Sequence, residues 1–134
     1  MPGGAVSCPV TKENFDLRLN TLKMNGKETF KQAVTAMEQA SVEVLELAGV
    51  SIDDIACIIP HQANIRIIDA IADRLKVRPD RFMVNLDRYG NTGAAAVAIA
   101  LDEARRTHRV KTGDKILMVV FGSGLTWAST VVEL

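Results

Sequence analysis

Cysteine is scarce, with two residues in 134, too few for a disulfide framework. Cys57 lies in Ile55-Ala56-Cys57-Ile58-Ile59, a predicted buried strand, where a thiol serves as a small hydrophobe. Cys8, before Pro9, is expected to be exposed in an irregular lead-in. No Cys/His cluster has ligand spacing, and His61 and His108 are too far apart in sequence to form a helical metal pair, so no metal site is expected. An excess of one charge is also missing: sixteen basic side chains balance sixteen acidic ones, unlike the basic footprint of a nucleic-acid binder. The longest apolar run, Gly93–Leu101, is too short to span a bilayer. Met1-Pro2-Gly3-Gly4 lacks the basic and apolar regions of a signal peptide. These absences predict a cytoplasmic protein with neither nucleic-acid nor membrane partners.

What remains is one α/β domain. Residues 1–24 carry no sustained periodicity and are expected to form a lead-in segment, with the domain proper over residues 25–134. After Asn25-Gly26, apolar and small residues from Phe30 to Ala48 recur at three- and four-residue spacing, predicting a helix that stops at Gly49. Ile55–Ile59 reads as a strand buried on both faces, as in a parallel sheet. A second helix is predicted from Gln62 to Leu75 with Ile65, Ile68, Ile71, Ala72 and Leu75 inward. Phe82–Leu86 reads as a short strand, Asp87–Gly90 as a loop, and Thr92–Arg106 as a third helix. Lys115–Phe121, the turn Gly122-Ser123-Gly124 and Thr126–Val132 read as an antiparallel hairpin closing a mixed sheet.

The third helix is apolar all round from Gly93 to Leu101 and leaves no face for water. It is expected to be buried between two layers, and one sheet in this chain covers only one side. Either protein outside this sequence covers the other, or loops or a second copy of the chain do.

Two polar side chains stand at element boundaries, His61 in Pro60-His61-Gln62-Ala63-Asn64 and Asn91 in Tyr89-Gly90-Asn91-Thr92-Gly93. A neutral imidazole at a helix start donates from one nitrogen, and the positive helix end disfavours its protonation. A carboxamide donates without titrating. Two such donors aimed at one oxygen stabilise an enolate or an oxyanion, a task common to carbon–carbon bond formation from thioesters. The glycine turn at 122–124 offers backbone N–H groups for a second oxyanion. A satisfied structural histidine and simple Asn-Gly turn chemistry are the plain alternatives. The glycine turn joins two strands, so it is not a nucleophile elbow, and no phosphate-cradling loop with its lysine is present.

The runs Ile59–Ile68, Leu86–Ala94 and Phe121–Trp127 resemble 3-oxoacyl-[acyl-carrier-protein] synthase III, the ketosynthase that starts type II fatty-acid synthesis. The resemblance extends from about Leu22 to Leu134 and implies the C-terminal half of a thiolase-like fold: an α/β unit with a mixed sheet, an antiparallel C-terminal hairpin and a buried Ala-rich helix in the central layer. It implies that His61 and Asn91 are catalytic, binding the malonyl thioester carbonyl and stabilising the enolate. Phe121, Gly122 and Ser123 would form the oxyanion and active-site loop, with Phe121 assisting decarboxylation. Gln62, Ala63, Asn64, Ile65 and Arg66 would bind the carrier protein and its pantetheine arm. Arg74, Lys76, Arg78 and Arg81 either add positive field to that surface or are simply a solvated face. No cofactor is implied, because acyl-CoA and malonyl-acyl-carrier-protein are substrates. The implied partners are an N-terminal half carrying the nucleophilic cysteine, acyl carrier protein and acyl-CoA, with a homodimer when complete. Neither Cys8 nor Cys57 matches that nucleophile, so the chain alone is expected to be inactive. A related polyketide or quinolone starter-unit synthase half, or a non-catalytic carrier-protein-binding module, are the rival readings.

Overall fold

The computed structural model describes residues 8–18, 20, 21 and 24–134. The expected lead-in therefore lies partly outside the described residues, at positions 1–7, 19, 22 and 23. Its described part contains a short 3-10 turn, Phe15–Leu17, and Cys8 there is half-buried rather than exposed.

Helix α1 spans Gly26–Ala48. The Asn25 side chain accepts from the Glu28 N–H, and Gly49, in the left-handed conformation, closes the far end with its N–H on Glu46. Strand β1, Ile55–Pro60, pairs in parallel with β2, Lys115–Gly122, which pairs antiparallel with β3, Thr126–Glu133. A register shift between Ile55 and Cys57 leaves Ala56 exposed while its neighbours are buried. Past it, side chains alternate between two cores. Ile58, Leu117 and Val119 face a layer made with Val34, Met37, Ile68 and Ile71 of α1 and of α2, Ile65–Leu75. Cys57, Ile59 and Ile116 face Met83, Ala100 and Ala104 on the other side. The Ser129 hydroxyl on β3 donates to the Ala40 carbonyl at 2.6 Å and ties the edge strand to α1.

Several boundaries differ from the pattern. Helix α2 starts at Ile65, because the Asn64 side chain accepts from the Arg66 N–H at 3.0 Å and caps it there. Ile65, expected inward, is 44% exposed on that first turn. The expected strand Phe82–Leu86 contributes a single bridge, Phe82 to Ile58, and the chain then turns into a four-residue helix, α3, Leu86–Tyr89. Four residues are too few for a helical period to show in the sequence.

Helix α4 begins at Ala95 and ends at Arg106. Gly93, at φ 63, interrupts helical geometry before it. The helix is not buried all round as expected. Ala96, Ala100 and Ala104 form one buried stripe, while Ala94, Ala95 and Ala98 are exposed. The sheet covers one side of this apolar helix, and nothing in the described chain covers the other. Among the described residues no helix is long and apolar enough to cross a membrane, and no three side chains are grouped to hold a metal ion.

Candidate active site

The three connections that follow β1, α3 and β2 converge at one end of the sheet, beyond the carboxyl ends of its parallel strands. This is where open α/β sheets place ligands. An open cleft of about 560 Å³ is lined there by His61, Asn91, Phe121, Gly122, Ser123 and Trp127, among others. Chain folding thus brings five of the expected site residues together from three separate segments.

His61 leaves β1 with its backbone N–H on the Val119 carbonyl at 2.8 Å, which fixes its Cα against β2. Its side chain is half-buried. Burial alone pushes the imidazole below its ordinary pKa, so the ring is neutral at pH 7 with one N–H donor. Asn91 is held by its own turn, where its Oδ1 accepts from the Gly93 N–H at 3.0 Å. That bond settles the amide orientation and leaves Nδ2 as the group free to donate. In the hairpin, Gly124 and Leu125 both have positive φ (79° and 54°), and the Thr126 hydroxyl donates to the Ser123 carbonyl at 3.2 Å. A Cβ at Gly122 would lie 3.2 Å from that hydroxyl oxygen, a tight contact to which the Thr126 side chain would have to yield. Phe121 is half-buried and packs against the α1–α2 core.

Gln62 has a different place from the one expected. It is 1% exposed and its amide is wholly engaged inside the protein. Nε2 donates to the Pro60 carbonyl at 2.9 Å and the Met83 carbonyl at 3.0 Å, while Oε1 accepts from the Asn85 N–H at 2.9 Å. The side chain cannot reach a partner and instead holds the His61 loop. Ala63, Asn64, Ile65 and Arg66 are exposed and contiguous, and Asn64 serves in addition as the α2 cap.

Of the other cations, Arg74 pairs with Glu38 at 2.5 Å and Arg78 with Asp80 at 2.6 Å. Arg81 donates to the Ile52 and Ile55 carbonyls. Arg66 and Lys76 have no ion pair among the described residues. Cys57 is fully buried, and burial raises its thiol pKa, which fits a core residue rather than a nucleophile.

Sequence patterns carry no hint of Asn85 and Glu103. Asn85 is 2% exposed, and its Nδ2 donates to Glu103 Oε2 at 2.9 Å. The Arg88 guanidinium donates to the other carboxylate oxygen. The Asn85 amide, seconded by Arg88, holds the Glu103 carboxyl below the usual range. A pairing eighteen residues apart leaves no local periodicity to read.

The family model described as "3-Oxoacyl-[acyl-carrier-protein (ACP)] synthase III C terminal" matches residues 45–134. The beta-ketoacyl-[acyl-carrier-protein] synthase III of Caldanaerobacter subterraneus subsp. tengcongensis is 53% identical over 133 residues, which are 99% of this chain and 40% of that protein. The crystal structure of the Thermus thermophilus enzyme of the same name aligns over 100% of this chain and 39% of its own, with a TM-score of 0.84 and 44% identity. The priming β-ketosynthase of the R1128 polyketide pathway aligns over 93% of this chain and 39% of its own, with a TM-score of 0.76 and 36% identity. The chain thus spans about 40% of the length of the curated relatives it matches.

Proposed function

Because the chain belongs to the 3-oxoacyl-[acyl-carrier-protein] synthase III family, we propose that it is the C-terminal part of a ketosynthase and supplies the decarboxylation half of a shared active site. The observation that carries this reading is the convergence of His61, Asn91 and the Phe121–Ser123 turn on one cleft. No cysteine lines that cleft among the described residues. The nucleophilic cysteine belongs to an N-terminal part, whose acyl group comes from acyl-CoA.

The malonyl thioester carbonyl oxygen accepts from the His61 ring N–H and from Asn91 Nδ2–H. The bond to the carboxylate breaks, carbon dioxide leaves, and the electron pair passes into an enolate whose oxygen those two donors stabilise. The Phe121 ring gives the departing carboxylate an apolar neighbour, which favours the neutral product. The enolate carbon attacks the acyl-cysteine carbonyl. Its oxyanion is held by backbone N–H groups including that of Ser123, and the cysteine thiolate leaves as the 3-oxoacyl product forms. A neutral His61 suits this task. An imidazolium would pair with the malonyl carboxylate and hold back the charge that must be lost.

Alone, the cleft is open to water, which weakens both donors, and condensation requires the missing cysteine. The exposed run Ala63–Arg66 is the surface for the acidic carrier protein, with apolar Ile65 beside cationic Arg66. On this reading the domain proper is residues 25–134 and the complete enzyme is a cytoplasmic homodimer.

The test separates the two half-reactions in the completed synthase. His61→Ala or Asn91→Ala should lower malonyl decarboxylation by about 100-fold or more, the scale of one lost oxyanion donor. Transfer of the acyl group to the cysteine should change by less than about threefold in either variant. Equal loss of both steps would overturn the assignment.

A further inference from the structure

His61 and Asn91 stand on separate connections, yet one continuous chain of hydrogen bonds links the segments that carry them. Gln62, next to His61, accepts from the Asn85 N–H. Asn85 donates through Nδ2 to Glu103 on α4, and its carbonyl accepts from the Arg88 and Tyr89 N–H groups at 3.1 Å, which starts α3. Glu103 in turn takes the Arg88 guanidinium from α3. The carboxylate therefore joins α3 to α4 across the turn that carries Asn91, while the same chain reaches the loop that carries His61. The Glu103 side chain is 13% exposed, against 51% for its Arg88 partner, so its bond to fully buried Asn85 is the shielded one. Hydrogen bonds to a charged acceptor in such surroundings are stronger and more directional than solvent-facing ones.

We infer that Asn85 and Glu103 are positioning residues that, through Gln62, set the distance and angle between the two enolate donors. Neither touches substrate. Their effect is confined to the decarboxylation half-reaction, because the acyl-transfer step does not use the His61–Asn91 pair. The inference rests on the functional reading above and adds to it the device that keeps the two donors in register.

Asn85→Asp replaces the donor by a second carboxylate facing Glu103, with almost no change in shape. In the completed synthase it should lower malonyl decarboxylation by about 30-fold or more, as expected for losing a bond to a charged group and leaving a buried repulsion. Acyl transfer should stay within about threefold, and activity should recover as pH falls and the carboxylate pair takes up a proton. Adding Glu103→Gln reverses the bond, since Gln can donate to Asp while its oxygen still accepts from Arg88. The double variant should return decarboxylation to within about fivefold of the parent, a coupling that independent sites would not show. Equal loss of both half-reactions, or no recovery in the double variant, would overturn the inference.

A second readout needs no turnover. Hydrogen exchange at the His61 and Gly93 backbone amides should accelerate in Asn85→Asp and slow again in the double variant. Unchanged exchange at both amides would contradict the coupling. If the parent enzyme failed to decarboxylate, the functional reading would fall, while the exchange rates would still decide whether these residues position the two loops.

Discussion

At the residue scale the proposed function depends on two donors, His61 and Asn91, that must not change protonation state at working pH. Asn91 meets this by its chemistry. His61 meets it by burial, which lowers the folded-state pKa with no acidic neighbour to raise it. The unfolded chain, with an ordinary value of about 6.5, binds more protons at acidic pH. The histidine's contribution to stability is therefore complete above about 6.5 and is lost as pH falls toward the depressed folded value. An NMR titration of the His61 ring in the completed synthase should find its midpoint below about 6.5. A midpoint at about 6.5 would mean that the pocket is wet, and one above it that a carboxylate lies nearby. Arg66 differs from Arg74, Arg78 and Arg81 in having no partner inside the described chain. Arg66→Glu should raise the KM for carrier-protein substrate about tenfold, the scale of a reversed interface charge, and leave a pantetheine analogue nearly unaffected. Equal KM changes for both substrates would remove Arg66 from the docking surface.

At the element scale the long, strongly patterned pieces are legible in the sequence and the short polar ones are not. Helix α1, β1 and the β2–β3 hairpin follow directly from apolar spacing and glycine punctuation. Helix α2 begins three residues later than its apolar pattern suggests, because a cap bond at Asn64 outranks hydrophobic periodicity at a helix start. The segment after Phe82 reads as a strand from its apolar composition. Buried hydrogen bonds that join Gln62 to Met83 and Asn85 turn it away from the sheet. Helix α4 bears on the proposed assembly with an N-terminal part. Its small-residue stripe, Ala96, Ala100 and Ala104, allows close approach to the sheet layer, and its other alanines face outward. Ala98→Glu should weaken association with the N-terminal part at least about tenfold by placing a charge in an apolar contact. The fold of this chain should be unchanged. The check is a binding titration paired with circular dichroism. Unaltered affinity would mean that α4 is covered by something else.

At the scale of the whole molecule, packing and chemistry both point to protein beyond this chain. The apolar first part of α4, residues 95–101, has one side on the sheet, and nothing in the described chain covers the other. On the proposed function, a cleft with two donors and no cysteine among the described residues makes the same point in chemical terms. That His61, Asn91 and the glycine turn would come together is legible because each sits at an element boundary in a short distinctive run. Gln62 is expected on the docking surface and is buried instead, since an amide that bonds inward looks the same in sequence as one that meets a partner. On the function proposed above, this chain holds half of a divided active site. Its most direct test is condensation of acetyl-CoA with malonyl-acyl-carrier-protein, measured with this chain alone and after adding an N-terminal ketosynthase part. Activity only in the mixture is the predicted result. Condensation by the chain alone would contradict the account and place a nucleophile within these 134 residues.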